Sequence, residues 1–462
     1  MKKTRSILLA LLALAACGRD AQEQAQDAVN DTKEAVQDVV EVFWDPAERG
    51  PSREELERGR LDNEWEQVVR LDPVAASDSA RSPEKWEQIT PQAVNDGPVH
   101  LPVYGDVAGP TAFRVQILLD RALFSPGMID GRWGKNTAKA VYWLQKREGL
   151  PATARVDSAT FARLAQLAGE PKQLVLAHRL TEEDVQGPFV PDLPEDWSGD
   201  TIYQVAKKPC TCYRTLEEKL SEQFHVTPDL LKQLNPGVDI ASLRARQTVN
   251  VPAVRGDNAR AQGQIARLEV SGKGSFVHAV DAGGRILYHF PSTLGATYDP
   301  SPQGSFKIVG ITPNPSWHFQ PDILEKVPDD KPDAMIPKGP NNAVGVVWMA
   351  LSEPHYGIHG TNSPETIGYA SSAGCVRLTN WDAAFLSRQV AKGTAVRFRD
   401  ITGRGASAGG QEPSESASRK STRSDSAGAR KSGGTRDSTT RADTARNRGK
   451  QRESGTRETR AR

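Results

Sequence analysis

Four stretches between residues 265 and 311, IARLEV, SFVHAVD, RILYHFPS and GSFKIVGI, alternate in character and are rich in β-branched and aromatic residues. Period-two alternation sends successive side chains to opposite faces of a pleated strand, so these stretches demand strands rather than helices. Gly and Asp turns, such as Asp281 to Gly284, divide them and imply antiparallel neighbours. A loop rich in Pro, Asp and Lys, Asn314 to Asn342, precedes VGVVWMAL, YGIHG and GCVRL, a helix from Thr379 to Val390 and a last strand, TAVRFR. A mostly β domain over residues 262–402 follows. At roughly 100 to 200 residues per domain, a chain of 462 residues has room for two to four such units.

The chain opens MKKTRSILLALLALAACGRD, with Lys2, Lys3 and Arg5 ahead of an apolar run from Ile7 to Ala16. That run is shorter than the about 20 residues a bilayer requires and fits a cleaved export signal. From Ala21 to Phe43 the apolar residues keep a near-helical period, and Ser52 with Glu55 forms a capping box ahead of Leu56 to Leu71. Residues 18–108 therefore read as a helical spacer and linker. Residues 109–168 carry three helical patterns: Ala112 to Leu119, Asn136 to Arg147, and one capped by Asp157 or Ser158, with the turn SPGMIDGRWG after the first. A Pro/Glu-rich linker, 169–199, leads to a unit over 200–253. There the strands TIYQVA and TVNVP flank helices at Thr215 to Phe224 and Thr227 to Leu234. From 403 to 462 Ser, Arg, Gly, Thr and Ala dominate, too little apolar surface to offset ordering, so a disordered tail is expected. Residues 401–462 hold 15 Lys/Arg against 7 Asp/Glu, which leaves the rest of the chain acidic although the whole carries +1. Such a tail solubilises, or binds a polyanion of the surroundings; no nucleic-acid partner is expected.

Of the four cysteines, Cys17 ends the export signal and Cys210 and Cys212 are separated only by Thr211, their state left open. Cys375 lies in YGIHGTNSPETIGYASSAGCVRL, sixteen positions after His359. A free thiol in an exported chain is exposed to oxidation unless its reactivity is used, so Cys375 reads as a nucleophile. A thiol of ordinary pKa, about 8.5, is only slightly ionised at neutral pH, so its pKa is expected to be lowered. His359 can take the thiol proton and return it to a leaving amine. If VRL continues as a strand, Arg377 faces the same way as the thiol, beside the thiolate or a substrate carboxylate. Ser371, Ser372, Ala373 and Gly374 let a substrate approach closely, and amides around Gly374 and Cys375 are candidates for an oxyanion hole. The plainer alternative is a satisfied loop histidine and a buried thiol. No metal or cofactor is called for.

Several stretches carry family resemblances. Leu14, Ala15, Ala16 and Cys17 resemble a bacterial lipobox, which implies cleavage before Cys17, its acylation, and, with Gly18 following, sorting to the outer membrane facing the periplasm. Residues 1–17 are then the lipoprotein signal. The stretch from VQILLDRALF to DSATFARL resembles the peptidoglycan-binding three-helix module, and VTPDLLKQLNPG with RQTVNVP resembles a βααβ LysM domain, which implies peptidoglycan as partner. The whole unit over 262–402 resembles a YkuD-type L,D-transpeptidase domain, through SPQGSFKI, NPSW, IPKGPNNAVGVVWMAL, IHG and SSAGCVRL. That resemblance implies Cys375 as nucleophile, His359 as proton donor and acceptor, Gly360 and Gly374 as backbone support, and Arg377, Ser372 and Trp348 as substrate-binding residues. It implies cleavage of the L,D bond of a tetrapeptide stem and transfer to an amine, as a 3-3 crosslink or protein attachment to the wall. Hydrolysis by the same cysteine, and a non-catalytic wall tether, are the alternatives. Ala373 departs from the family pattern, which has a histidine there; His318 or His355 could stand in for it.

Overall fold

The computed structural model describes residues 88–401, apart from 106, 196, 198–199, 257–258, 260–262, 297–298 and 322–330. The expected export signal, most of the expected spacer, and the expected tail lie outside the described residues. Among the described residues no helix is long and apolar enough to cross a membrane.

A short helix α1 (Pro91–Asp96) is capped by Thr90, whose hydroxyl accepts from the Ala93 amide at 3.1 Å. Then come α2 (Pro110–Arg121), α3 (Lys135–Glu148) and α4 (Ser158–Leu167), the three helices expected, with Asp157 capping the last. Gln116 fixes the glycine turn between the first two: its amide donates to Asp130 Oδ1 and the Arg132 carbonyl, and its oxygen accepts from the Gly131 amide at 2.8 Å. One apolar face was expected on α2, yet nearly the whole helix is buried. Ala112, Val115, Leu118 and Leu119 belong to the three-helix core, while Phe113 and Ile117 belong to the core of the next unit.

That next unit corrects two expectations. Its first strand is β1 (Val175–Arg179), inside the stretch read as a linker, and α5 (Glu182–Val185) follows it. TIYQVA is not a strand: Thr201–Val205 forms helix α6. Ile202 and Val205, three apart, are both fully buried on one side, a spacing that a strand would send to opposite faces. Helices α7 (Leu216–Gln223) and α8 (Pro228–Leu234), capped by Thr215 and Thr227, lie as expected. Strand β2 (Thr248–Pro252) then pairs antiparallel with β1, from Val175 opposite Pro252 to Arg179 opposite Thr248. The two strands flank α7 and α8 as a βααβ unit should, but α5 and a long excursion, residues 186–214, which contains α6, are inserted between β1 and α7. Within it Cys210 and Cys212 are joined by a disulfide.

The expected strands of the third unit are all present: β3 (Arg267–Ser271), β4 (Phe276–Val280), β5 (Ile286–Pro291) and β6 (Gly304–Pro313). A hairpin missed in the loop, β7 (Trp317–Phe319) with β8 (Ala334–Ile336), forms a separate small sheet. Then come β9 (Val347–Leu351), β10 (Gly357–His359), β11 (Val376–Arg377), α9 (Asn380–Ser387) and β12 (Ala395–Arg399). The main sheet runs β11-β10-β9-β6-β12-β3-β4-β5. Strand β6 joins its halves, pairing β12 through Lys307 and β9 from Ile308 onward, with an irregular register between Ile308 and Gly310. Phe385, Leu386 and Ala383 of α9 fill the core beside Val270, Tyr288, Met349 and Ile358.

Candidate active site

Strands β10 and β11 are parallel neighbours, with His359 opposite Arg377 and Ile358 opposite Val376. This register brings the end of IHG beside the segment that starts at Cys375. His359 and Cys375 are each 1% exposed. The imidazole Nδ1 donates to the Gly360 carbonyl at 2.7 Å, which leaves Nε2 as the nitrogen with a lone pair for a proton. On the other side Trp348, opposite His359 across β9 and β10, sets its indole 5.3 Å from the imidazole. Trp348 is buried, as are His359 and Cys375, and packs against the histidine.

The cysteine loop is held from behind. The Ser372 hydroxyl donates to the Cys375 carbonyl at 2.6 Å and is itself buried, so it braces the loop. The Gly374 carbonyl accepts from Ser301 Oγ at 2.6 Å. Gly374 has φ +90, in the left-handed region, and a Cβ there would meet the Tyr356 ring at 2.7 Å. Residues 293–296 run alongside: Thr293 exchanges both backbone hydrogen bonds with Arg377, and Ser372 lies between the Leu294 carbonyl and the Ala296 amide.

The electrostatics differ from expectation. Burial pushes the Cys375 thiol up to about 12, against the Gly357 N–H and the Arg377 charge, which favour the thiolate. Burial, with the positive charge of Arg377, pulls His359 down to about 3. Both groups are therefore neutral at pH 7, where a lowered thiol pKa was expected. The thiol donates to the His355 carbonyl at 3.6 Å. Of the histidines considered as stand-ins for the one missing at Ala373, His355 is thus near the sulfur through its backbone, and His318 is paired with Asp333 at 3.0 Å on the hairpin. Cys375 also shares a buried apolar cluster with Trp348, Trp317 and Val344, and with Trp197, Ile202 and Val205 of the excursion. Thr211 ties that excursion down, its amide donating to the Lys338 carbonyl and its carbonyl accepting from the Asn341 amide.

Asn380 went unnoticed in the sequence, where it reads only as the first residue of a helix after the Thr379 cap. Its Oδ1 accepts from the Thr361 amide at 3.1 Å and the Val346 amide at 3.2 Å. A Cβ at Gly360 would lie 2.2 Å from that oxygen, so this close approach needs the glycine after His359. Cys17 lies outside the described residues.

Cys375, just ahead of β11, and His359, at the end of β10, thus lie at neighbouring strand ends, with Arg377 opposite the histidine. The YkuD model, described as L,D-transpeptidase catalytic domain, matches residues 266–398, and the model described as "Putative peptidoglycan binding domain" matches 109–164. The protein named "Putative L,D-transpeptidase YkuD" of Bacillus licheniformis is 31% identical over 179 residues, 39% of this chain and 90% of its own length. Its namesake of Bacillus subtilis is 29% identical over 177 residues, 38% and 89%. Among solved structures, the L,D-transpeptidase of Xylanimonas cellulosilytica covers 65% of this chain and 99% of its own at 15% identity, with a TM-score of 0.28; the assignment rests on the sequence relatives. The chain belongs to the YkuD family of L,D-transpeptidases, with a peptidoglycan-binding domain ahead of the catalytic one.

Proposed function

We propose that the protein is a lipid-anchored cell-wall L,D-transpeptidase whose nucleophile is Cys375 and whose acid and base is His359. The observation that carries this reading is the His359 Nδ1 bond to the Gly360 carbonyl, which leaves Nε2 as the basic atom on the strand beside Cys375. With thiol and imidazole both neutral, the proton leaves sulfur for Nε2 as the sulfur attacks the carbonyl of a tetrapeptide L,D bond. Collapse of the tetrahedral adduct expels terminal D-alanine, whose nitrogen takes the proton from the imidazolium. An acceptor amine, deprotonated by Nε2, then attacks the thioester, forms a new amide and restores the thiol. The guanidinium of Arg377 favours negative charge on sulfur, and by disfavouring the imidazolium it speeds the return of the proton to the leaving nitrogen. The acceptor is the amine of a second stem, giving a 3-3 crosslink, or that of a wall-attached protein.

In the same reading Cys17 carries the lipid, the chain faces the periplasm from the outer membrane, and the βααβ unit is a LysM-like binder of wall glycan. The boundaries of that unit become 175–252, since β1 pairs β2. The test incubates the protein lacking residues before Gly18 with tetrapeptide muropeptides under reducing conditions and reads products by mass spectrometry. Crosslinked dimer supports transfer, tripeptide alone points to hydrolysis, and unchanged substrate points to a tether. Loss of membrane partition in Cys17→Ala checks the anchor.

A further inference from the structure

The Gly360 carbonyl that holds the His359 Nδ1 proton and the Thr361 N–H that donates to Asn380 belong to one peptide unit. Whatever fixes Asn380 therefore fixes the plane of that peptide and, through its carbonyl, the tautomer and tilt of the imidazole. The Asn380 amide group donates to the Pro340 carbonyl at 3.0 Å and to Glu222 Oε2 at 3.0 Å. Glu222 comes from α7 in the βααβ unit, 158 residues away in the chain. Its side chain is buried, on the helix that gives Leu216 and Leu220 to the core of its own unit. A second contact sets the same docking: the His225 ring stacks on Trp381, beside Asn380, at 4.9 Å between centroids and 10° between planes.

The Glu222 carboxyl has a partner within its own unit, the Tyr213 hydroxyl, and one in the catalytic domain, the Asn380 amide, and the second is the one that leads to the site. We infer that Glu222 is a positioning residue for His359, acting through Asn380 and the Gly360–Thr361 peptide, so that the βααβ unit completes the catalytic domain as well as binding beside it. With Glu222 in place, both Asn380 N–H groups have acceptors, and Oδ1 must face the Thr361 and Val346 amides. Without it, one N–H is left buried without an acceptor and the amide loses its reason to stay in that orientation. The inference rests on His359 as the acid and base of the proposed reaction.

The test uses the full chain bearing Glu222→Ala, Glu222→Leu, Glu222→Gln, Asn380→Ala, or Glu222→Ala with Asn380→Ala. D-alanine release from a tetrapeptide muropeptide supplies kcat and KM, and long-range 1H–15N correlation on 15N-histidine protein reads the His359 tautomer. In Glu222→Ala, kcat falls about tenfold with KM little changed, as befits a misaligned general base, and the pure Nδ1–H tautomer gives way to a mixture. Glu222→Gln, which retains the acceptor, restores both. In the double variant the loss equals that of Asn380→Ala alone, because one path carries both effects. A wild-type tautomer in Glu222→Ala, or losses in kcat that multiply in the double variant, would overturn the inference. Glu222→Leu keeps the buried volume without the acceptor and answers the same question if the alanine variant does not fold. The tautomer is read without turnover, so a protein inactive on tetrapeptide refutes the proposed reaction and still decides the role of Glu222.

Discussion

Arg255→Met should separate the modules, because Arg255 is the cation at the node where all three meet. Its Nη1 lies 2.9 Å from Asp120 of α2, its backbone N–H donates to the other Asp120 oxygen at 2.8 Å, and Nη2 binds Asp382 of α9. His225 of the βααβ unit adds a contact to Asp120 at 3.0 Å, and Ser125 donates to Asp382 at 2.7 Å. Asp120 and Asp382 are both fully buried. Burial alone would raise the Asp120 carboxyl, but Arg255 and then His225 outweigh it and hold it at about 2. Removing the cation leaves two carboxylates in the interior, a change that costs about 3–5 kcal/mol when one partner of a buried pair is deleted. The sign of the pH dependence then reverses. In the wild type the Asp120 pKa is depressed from 3.8, so its contribution, about 2 kcal/mol, is present above pH 4 and lost as pH falls through about 2. In Arg255→Met burial is opposed only in part, the carboxyl protonates more readily in the folded state, and the deficit shrinks on acidification. Urea unfolding followed by tryptophan fluorescence at pH 3, 5 and 7 measures this. A single wild-type transition should become less stable by the stated amount at pH 7, with the three-helix module unfolding separately, and the deficit should at least halve at pH 3. A deficit below about 1 kcal/mol, or one that does not change with pH, would refute the idea that the node joins the modules.

Alkylation of Cys375 by iodoacetamide should keep accelerating up to pH 10, because burial holds the thiol neutral; a plateau near pH 7 would mean a resting thiolate. Gly339→Ala should speed that alkylation at fixed pH, since a Cβ at 339 would lie 2.2 Å from the Thr211 carbonyl oxygen and must push the excursion off the loop beside the site. A lowered Tm with an unchanged rate would show that the excursion does not shield the sulfur. Glu222 has its pKa raised from 4.5 to about 8, chiefly by burial, so the folded state holds a proton that the unfolded chain releases as pH rises between those values. Stability should therefore fall across pH 5–8 by up to about 5 kcal/mol, and Glu222→Gln should flatten the fall; equal slopes for the two proteins in urea titrations would contradict it.

The strands of the catalytic unit and the helices α2 to α4, α7 and α8 were legible in the sequence because each rests on local physics, and the same local signals single out His359 and Cys375 as the proposed pair. Alternation reports which face of a strand is buried, capping residues mark helix starts, and Gly360 and Gly374 stand where a Cβ or a negative φ would not fit. What tertiary structure decided depends on partners far away in the chain. The first strand of the second unit is Val175–Arg179 because β2 pairs with it, while Thr201–Val205 coils as a helix because Trp317 and its neighbours bury Ile202 and Val205 together. The ionic node spans residues 120 to 382, and the link from Glu222 to Asn380 crosses between domains, so no spacing announces either. The charge state of Cys375 depends on the tertiary structure in the same way. A cysteine beside a histidine and an arginine reads as a lowered thiol pKa, but the thiol is enclosed by the core around it, and desolvation outweighs the charge of Arg377.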